Sequence, residues 1–280
     1  MFRSTFLALA IAPFPSVLVA APALHPPVSD AKPAGQDAKP AAKPDKTEEI
    51  KKLCSDFDGH ITQRGKQDDE ACKLIEQMLV KFPECGPKDR EAIVAALAKS
   101  FDQKRVPPDE ESQDLAKVYK LYTTAVVAMS RMGPESVKPL QKLIGDRGHK
   151  ANLDLLRRAI LSLGKTKDAG SVAFLLDLRN HKDNVLVAAA AEALGEYSEL
   201  ALDKRKQIFE DLLKVLMALK VEVDAAQAGG TPDNDKSERY QTISGPILGT
   251  LQRLSGHEER EPEKWQTWWN NNKKKKWPVE

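Results

Sequence analysis

Apolar positions recur along the middle of the chain with a helical step. From Leu121 to Leu219 leucine and alanine return at three- and four-residue intervals, the spacing of one helix face. The pattern also repeats over a longer interval. Gly133, Gly164 and Gly195 are each 31 residues apart. Five residues before them stand Ala128, Ala159 and Ala190, and one before stand Met132, Leu163 and Leu194. Four before are Met129, Ile160 and Ala191; eight before are Ala125, Leu156 and Val187. Aligned apolar positions at a fixed period predict stacked helical repeats. Each glycine stands where a helix can stop on a left-handed cap without a Cβ penalty. A second helix is expected after each stop: from Val137 to Ile144, Ser171 to Leu178 and Asp203 to Lys220.

The flanks carry weaker versions of the pattern. Residues 47–108 predict three helices, with Ile50, Leu53 and Phe57 on the first, Cys72, Ile75 and Leu79 on the second, and Ile93, Val94 and Leu97 on the third. This block reads as a degenerate repeat capping the stack, and 109–220 as the repeats proper. Asp109 is placed to cap the helix leading to Met132. Residues 221–235 read as a polar loop. The helical pattern resumes at Lys236, with Gly245-Pro246 expected to kink or restart it. In the 236–280 segment, Trp265, Trp268 and Trp269 fall at i, i+3 and i+4, one stripe of a helix. Two uses fit that stripe: a cap folded over the last repeat, or, with the basic run Lys273 to Lys276, a surface for a glycan, an anionic polymer or a membrane.

The helix beginning at Asp183 carries a resemblance. Lys182-Asp183-Asn184-Val185 through Ala188-Ala189-Ala190-Ala191-Glu192-Ala193-Leu194-Gly195 resembles the first-helix signature of HEAT repeats of the phycobilisome-lyase type. Leu186 stands where that signature usually has arginine. The likeness is good over Asp183 to Gly195, fair over Asn152 to Gly164 and weak over Tyr122 to Gly133. It implies an all-α superhelix of antiparallel helix pairs, a HEAT/armadillo-like solenoid with a concave ligand surface, and no particular ligand. The terminal WxxWW-type helix is similar to tails of exported bacterial HEAT-like proteins.

Composition narrows the setting. The chain has 280 residues, 30% of them charged, with a formal net charge of +2. Such balance opposes nucleic-acid binding, which usually needs a basic face. A low aromatic fraction (6%) with an Ala/Leu core suits helix-on-helix packing better than sheets. Residues 1–23 read as a signal peptide: Arg3, an apolar run from Phe6 to Val19, then small residues around Ala21-Pro22-Ala23. Residues 24–46, rich in Pro, Ala and Lys, read as a disordered linker. Together these predict an exported protein, periplasmic or secreted.

The three cysteines, Cys54, Cys72 and Cys85, all fall in the N-terminal block. Antiparallel helices would bring Cys54 and Cys72 level, so in an oxidising compartment a bridge between them is expected, with buried free thiols as the alternative. No Ser/His/Asp grouping, P-loop, GxGxxG, HExxH or CxxCH is present, and only one His-Glu pair occurs, His257-Glu258. The expectation is a non-catalytic scaffold with no cofactor and no metal, binding another macromolecule, a protein, through a face lined by the second helices. The candidate contact residues are Lys142, Arg157, Arg158 and Arg179.

Overall fold

A computed structural model describes residues 44–105, 115–228 and 233–277. The expected signal peptide, nearly all of the expected linker and the expected cap at Asp109 lie outside these residues. Those described are all-helical, with no strand among them.

The N-terminal block holds α1 (Thr47–Ile61), α2 (Asp68–Lys81) and α3 (Pro87–Asp102). Each forms for a local reason. On α1 the buried residues Ile50, Leu53, Phe57 and Ile61 make one stripe. On α2 three acids, Asp68, Asp69 and Glu70, occupy the first turn, where the partial positive charge of the helix start favours them. On α3 a proline at the first turn uses a position that lacks an intrahelical acceptor. Gly59 does not end α1, which continues to Ile61.

The central helices are α4 (Leu115–Val118), α5 (Lys120–Met129), α6 (Val137–Gly145), α7 (Leu153–Lys165), α8 (Ser171–Asp177) and α9 (Asn184–Leu194). Side chains cap two of them: Asn152 Oδ1 accepts from the Leu155 N–H (3.1 Å) and Asp183 Oδ1 from the Val185 N–H (3.0 Å). The C-terminal part holds α10 (Leu202–Ala228), α11 (Asn234–Ser255) and α12 (Pro262–Asn272). The expected loop at 221–235 is therefore mostly helix. Val223 is buried on α10, and that contact carries the helix two turns beyond Lys220. Pro246 lies inside α11 without ending it, because Ile243, Ile247, Leu251 and Leu254 bury on both sides of it.

Packing follows two rows. In one, α2 packs on α5, α5 on α7, α7 on α9 and α9 on α11. In the other, α1 packs on α3 and α3 on α6, and further along the chain α8 packs on α10 and α10 on α12. Between rows, α1 meets α2, α3 meets α5, α6 meets α7, α8 meets α9 and α10 meets α11. One apolar cluster runs through these contacts from Ile50 to Trp277. Ala128, Ala159 and Ala190, the aligned alanines, are all buried in it.

The aligned glycines are not alike. Only Gly133 is left-handed (φ +66°). Gly164 lies inside α7 and Gly195 follows α9 with φ −67°, so neither is the expected left-handed stop. A Cβ on Gly164 would stand 2.7 Å from the Ala193 carbonyl oxygen and 2.8 Å from the Ala193 Cβ. A Cβ on Gly195 would stand 2.7 Å from Arg253 Cζ and 3.0 Å from Thr250 Oγ1. These two glycines let α7 approach α9, and the end of α9 approach α11. Beside the second contact, Thr250 Oγ1 donates to the Ala191 carbonyl (2.7 Å).

Candidate functional site

The tryptophan stripe turns inward. Phe209 on α10 is ringed by Trp265, Trp268, Trp269 and Trp277 at centroid distances of 5.6, 5.5, 5.1 and 5.2 Å. Trp265, Trp269 and Trp277 are buried and Trp268 is partly so. Two indole N–H groups find backbone acceptors: Trp265 Nε1 donates to the Glu259 carbonyl (3.1 Å) and Trp277 Nε1 to the Asn272 carbonyl (3.1 Å). Trp268 faces the His257 ring at 5.0 Å, nearly parallel. Most of this aromatic surface is committed to the chain's own packing. Of the stripe, Trp265 and Trp269 face α10 and Trp268 keeps part of its surface exposed.

The cysteines are apart. Cys54 on α1 reaches toward the Ala92 carbonyl on α3 (3.8 Å), whereas Cys72 on α2 reaches toward Thr124 Oγ1 on α5 (3.6 Å). The expected Cys54–Cys72 bridge is not formed, because the two side chains leave their helix pair toward different neighbours. Cys85 Sγ donates to the Lys81 carbonyl (3.3 Å). Burial raises all three thiols above the ordinary value, Cys54 to about 11, which disfavours the thiolate and with it nucleophilic or metal-binding use.

The four candidate cations meet different acids. Lys142 on α6 is 3.7 Å from Asp102 and Arg157 on α7 is 3.7 Å from Glu192. Arg158 is 2.7 Å from Asp154 and Arg179 is 4.0 Å from Asp211. Exposed pairs of this kind add little stability. The four acids lie on four different helices, α3, α9, α7 and α10.

A cleft of about 770 Å³ lies next to two of these pairs. Three separate segments build it: the end of α3 with Phe101 to Arg105, the start of α5 with Tyr119 and Tyr122, and the turn from Asp146 through Asn152 to Asp154 that opens α7. Its floor is fixed. The Tyr122 hydroxyl donates to the Gln103 carbonyl, and burial pushes its pKa up to about 12. Tyr119 stacks on Tyr122 at 5.8 Å, and His149 sits edge-on to Tyr122 at 5.3 Å. His149 Nε2 donates to the Phe101 carbonyl (2.8 Å), tying the turn to the end of α3. Arg105 is held by a two-pronged contact to Asp68, Nε to Oδ2 at 2.9 Å and Nη2 to Oδ1 at 2.8 Å, and also donates to the Ile61 carbonyl (3.0 Å).

The polar groups of the cleft lie on its walls. Asp102, Asp146 and Asp154 contribute carboxylates, each already engaged in part: Asp102 by Lys142, Asp154 by Arg158, and Asp146 Oδ1 by the Gly148 N–H (3.0 Å). The Asn152 side-chain N–H₂ is buried without an acceptor, its carbonyl oxygen being engaged in capping α7. Such a surface offers several acceptors and one partly buried aromatic face, Tyr119. It suits an extended polar segment better than a compact apolar ligand. A second depression continues from it along Tyr119, Thr123, Asp154 and Arg158. Arg158 thus borders the cleft directly and Lys142 borders it through Asp102, while Arg157 and Arg179 face other helices. Among the described residues, no group of three or more His, Cys, Asp or Glu is placed to hold a metal ion.

Tyr119, Tyr122, His149 and Asn152 carry the cleft, and the sequence pattern did not single them out. The signal was thin: two tyrosines three apart at a helix start, and a His-x-x-Asn before an apolar run. Compared with family models, curated proteins and solved structures, the chain matches none.

Proposed function

We propose that the chain is a HEAT-like helical-repeat scaffold that acts outside the cytoplasm by binding another protein without catalysing a reaction on it. The two-row packing of the helices carries this reading. Rows in which α5, α7, α9 and α11 each meet the next, with α6, α8 and α10 alongside, are what stacked antiparallel pairs produce. The 31-residue alignment of buried alanines falls on the first of these rows. A stack of this kind presents a continuous surface rather than a single deep pocket, and extended partners fit it. The export expectation rests on residues 1–23 of the sequence.

The 101–105, 119–122 and 146–154 cleft is the contact region for an extended segment of the partner. The three aspartates receive cationic or N–H groups, and Tyr119 covers apolar stems. A photo-crosslinking residue placed at Asp146, on the cleft wall, is expected to capture a discrete partner from the envelope fraction. The same residue at Val80, which is exposed on α2, is expected not to. Identical products at both positions, or none at Asp146, would sink the reading. For export, a reporter fused after residues 1–27 is expected to leave the cytoplasm; its retention there would remove the envelope from the proposal.

A further inference from the structure

The C-terminal lysine run is not a loose tail. After α12, residues 273–277 fold back so that Trp277 is buried against Phe209. The return is fastened at three points. Trp277 Nε1 donates to the Asn272 carbonyl (3.1 Å), Asn272 Nδ2 donates to the Trp268 carbonyl (2.8 Å), and Lys206 Nζ on α10 donates to the Lys275 carbonyl (2.8 Å). Lys206 also lies over the Trp277 ring at 5.5 Å. Lys273, Lys274, Lys275 and Lys276 are all exposed, and Lys204 is exposed on the adjoining turn of α10. The acids of the neighbouring depression are Asp203 and Glu210, and Glu210 is 3.0 Å from Lys214. A single cation satisfies the carbonyls at the end of a helix. Four in succession exceed that need.

We infer that this fastened cationic face, Lys206 and Lys273 to Lys276, is a docking surface for phosphate-bearing headgroups of an anionic lipid bilayer. Two features choose this partner. The indoles beside the lysines face inward, so little stacking surface remains for a sugar ring or an unpaired base, the contact on which glycan and single-strand recognition lean. What remains is a set of exposed ammonium groups on a fastened backbone, which suits a flat array of phosphates. The attachment is peripheral and electrostatic, since each lysine near an anionic bilayer contributes on the order of 1 kcal/mol and the interaction decays within a Debye length. It is independent of the cleft, which lies on other helices.

The test is co-sedimentation of the full chain with vesicles of phosphatidylglycerol mixed with phosphatidylcholine, and with vesicles of phosphatidylcholine alone. Binding is expected to the first only and to fall as salt is raised. The triple variant K273Q/K274Q/K276Q, which keeps Trp277 and the Lys275 carbonyl, is expected to bind about 100-fold more weakly. The charge-matched variant K66Q/K88Q/K182Q, at exposed lysines elsewhere, is expected to bind as the parent does. Equal losses in both triples, binding to the neutral vesicles or no binding at all would overturn the inference. So would soluble polyphosphate binding more tightly than vesicles do, which would make the face a site for free polyanions. Far-UV circular dichroism melts establish that the patch variant is folded. If it melts early, K273Q, K274Q and K276Q are read singly, each expected to lose about fivefold.

Discussion

The seam from α7 through α9 to α11 and the end formed by α10 and α12 solve the same packing problem in opposite ways. At the seam the side chains are small. Ala188, Ala189, Ala190, Ala191 and Ala193 are all buried on α9, and Gly164 leaves no room for a Cβ against Ala193. Backbones themselves come close, and one hydroxyl, Thr250, crosses to a main-chain carbonyl. At the C-terminal end the side chains are the largest available, with four indoles around Phe209. The difference follows from position. An interior helix has neighbours on both sides and gains most from close approach, whereas a terminal helix must cover a whole open face with few residues. The two regions should therefore fail in opposite ways: the end by losing volume, the seam by gaining it.

The largest expected effect is at the end. Trp265→Ala removes a fully buried side chain touching Phe209, and should cost about 3–5 kcal/mol in chemical denaturation followed by far-UV circular dichroism. A cost under 1 kcal/mol would show that α12 does not close the core. At the seam, Ala159→Leu and Gly164→Ala add atoms where none fit and should each cost about 1–3 kcal/mol. Gly195→Ala sharpens the contrast. Its new Cβ meets mainly the Arg253 side chain, which can swing aside, so it should cost less than Gly164→Ala. The reverse order would mean that Arg253 is as fixed as the α9 backbone. Gly133→Ala meets no close neighbour but keeps a left-handed backbone, and should cost about 1–2 kcal/mol from that strain alone.

A further effect, confined to a window of pH, is a dependence on alkaline conditions. Burial raises Tyr122, and likewise Tyr197 at the end of α9, to about 12 from an ordinary value of 10. The unfolded chain then loses these protons first. The stabilisation is complete below pH 10 and is lost as pH rises toward 12. Denaturation midpoints should fall across that window, and Tyr122→Phe should flatten part of the fall. An unchanged slope in that variant would assign the alkaline loss to other groups.

Much of the fold was legible from spacing. The bounds expected for the second helices at 137 and 171 agree with the structure to within a residue, because buried residues and punctuation coincide there: Gly133 before α6 and Gly170 before α8. Where they separate, the reading failed. Gly59 and the Ala-Ala-Gln-Ala stretch after Val223 look like breaks in sequence, yet tertiary contacts carry α1 and α10 through them. The glycines at 164 and 195 were visible, but whether a glycine is needed for its dihedral or for the space it leaves is settled by a neighbour 29 to 58 residues away, at Ala193 and Arg253. The cleft was the least legible. Phe101, Tyr119 and His149 come together only through packing between α3, α5 and the turn before α7, and no local pattern marks them. The four candidate cations were chosen as exposed charges on helices, which is what they are; their partners scatter them over different contacts.

All four tryptophans of the chain sit around Phe209, while Tyr119 and Tyr122 stack at the far cleft. Intrinsic indole emission therefore watches one end of the molecule only. Paired with far-UV ellipticity, which sums over every helix, it separates fraying of the last pair from collapse of the whole array. If the two signals part during a urea titration, the stack unzips from its C-terminal end; if they coincide, the closely packed seam holds both ends in one cooperative unit.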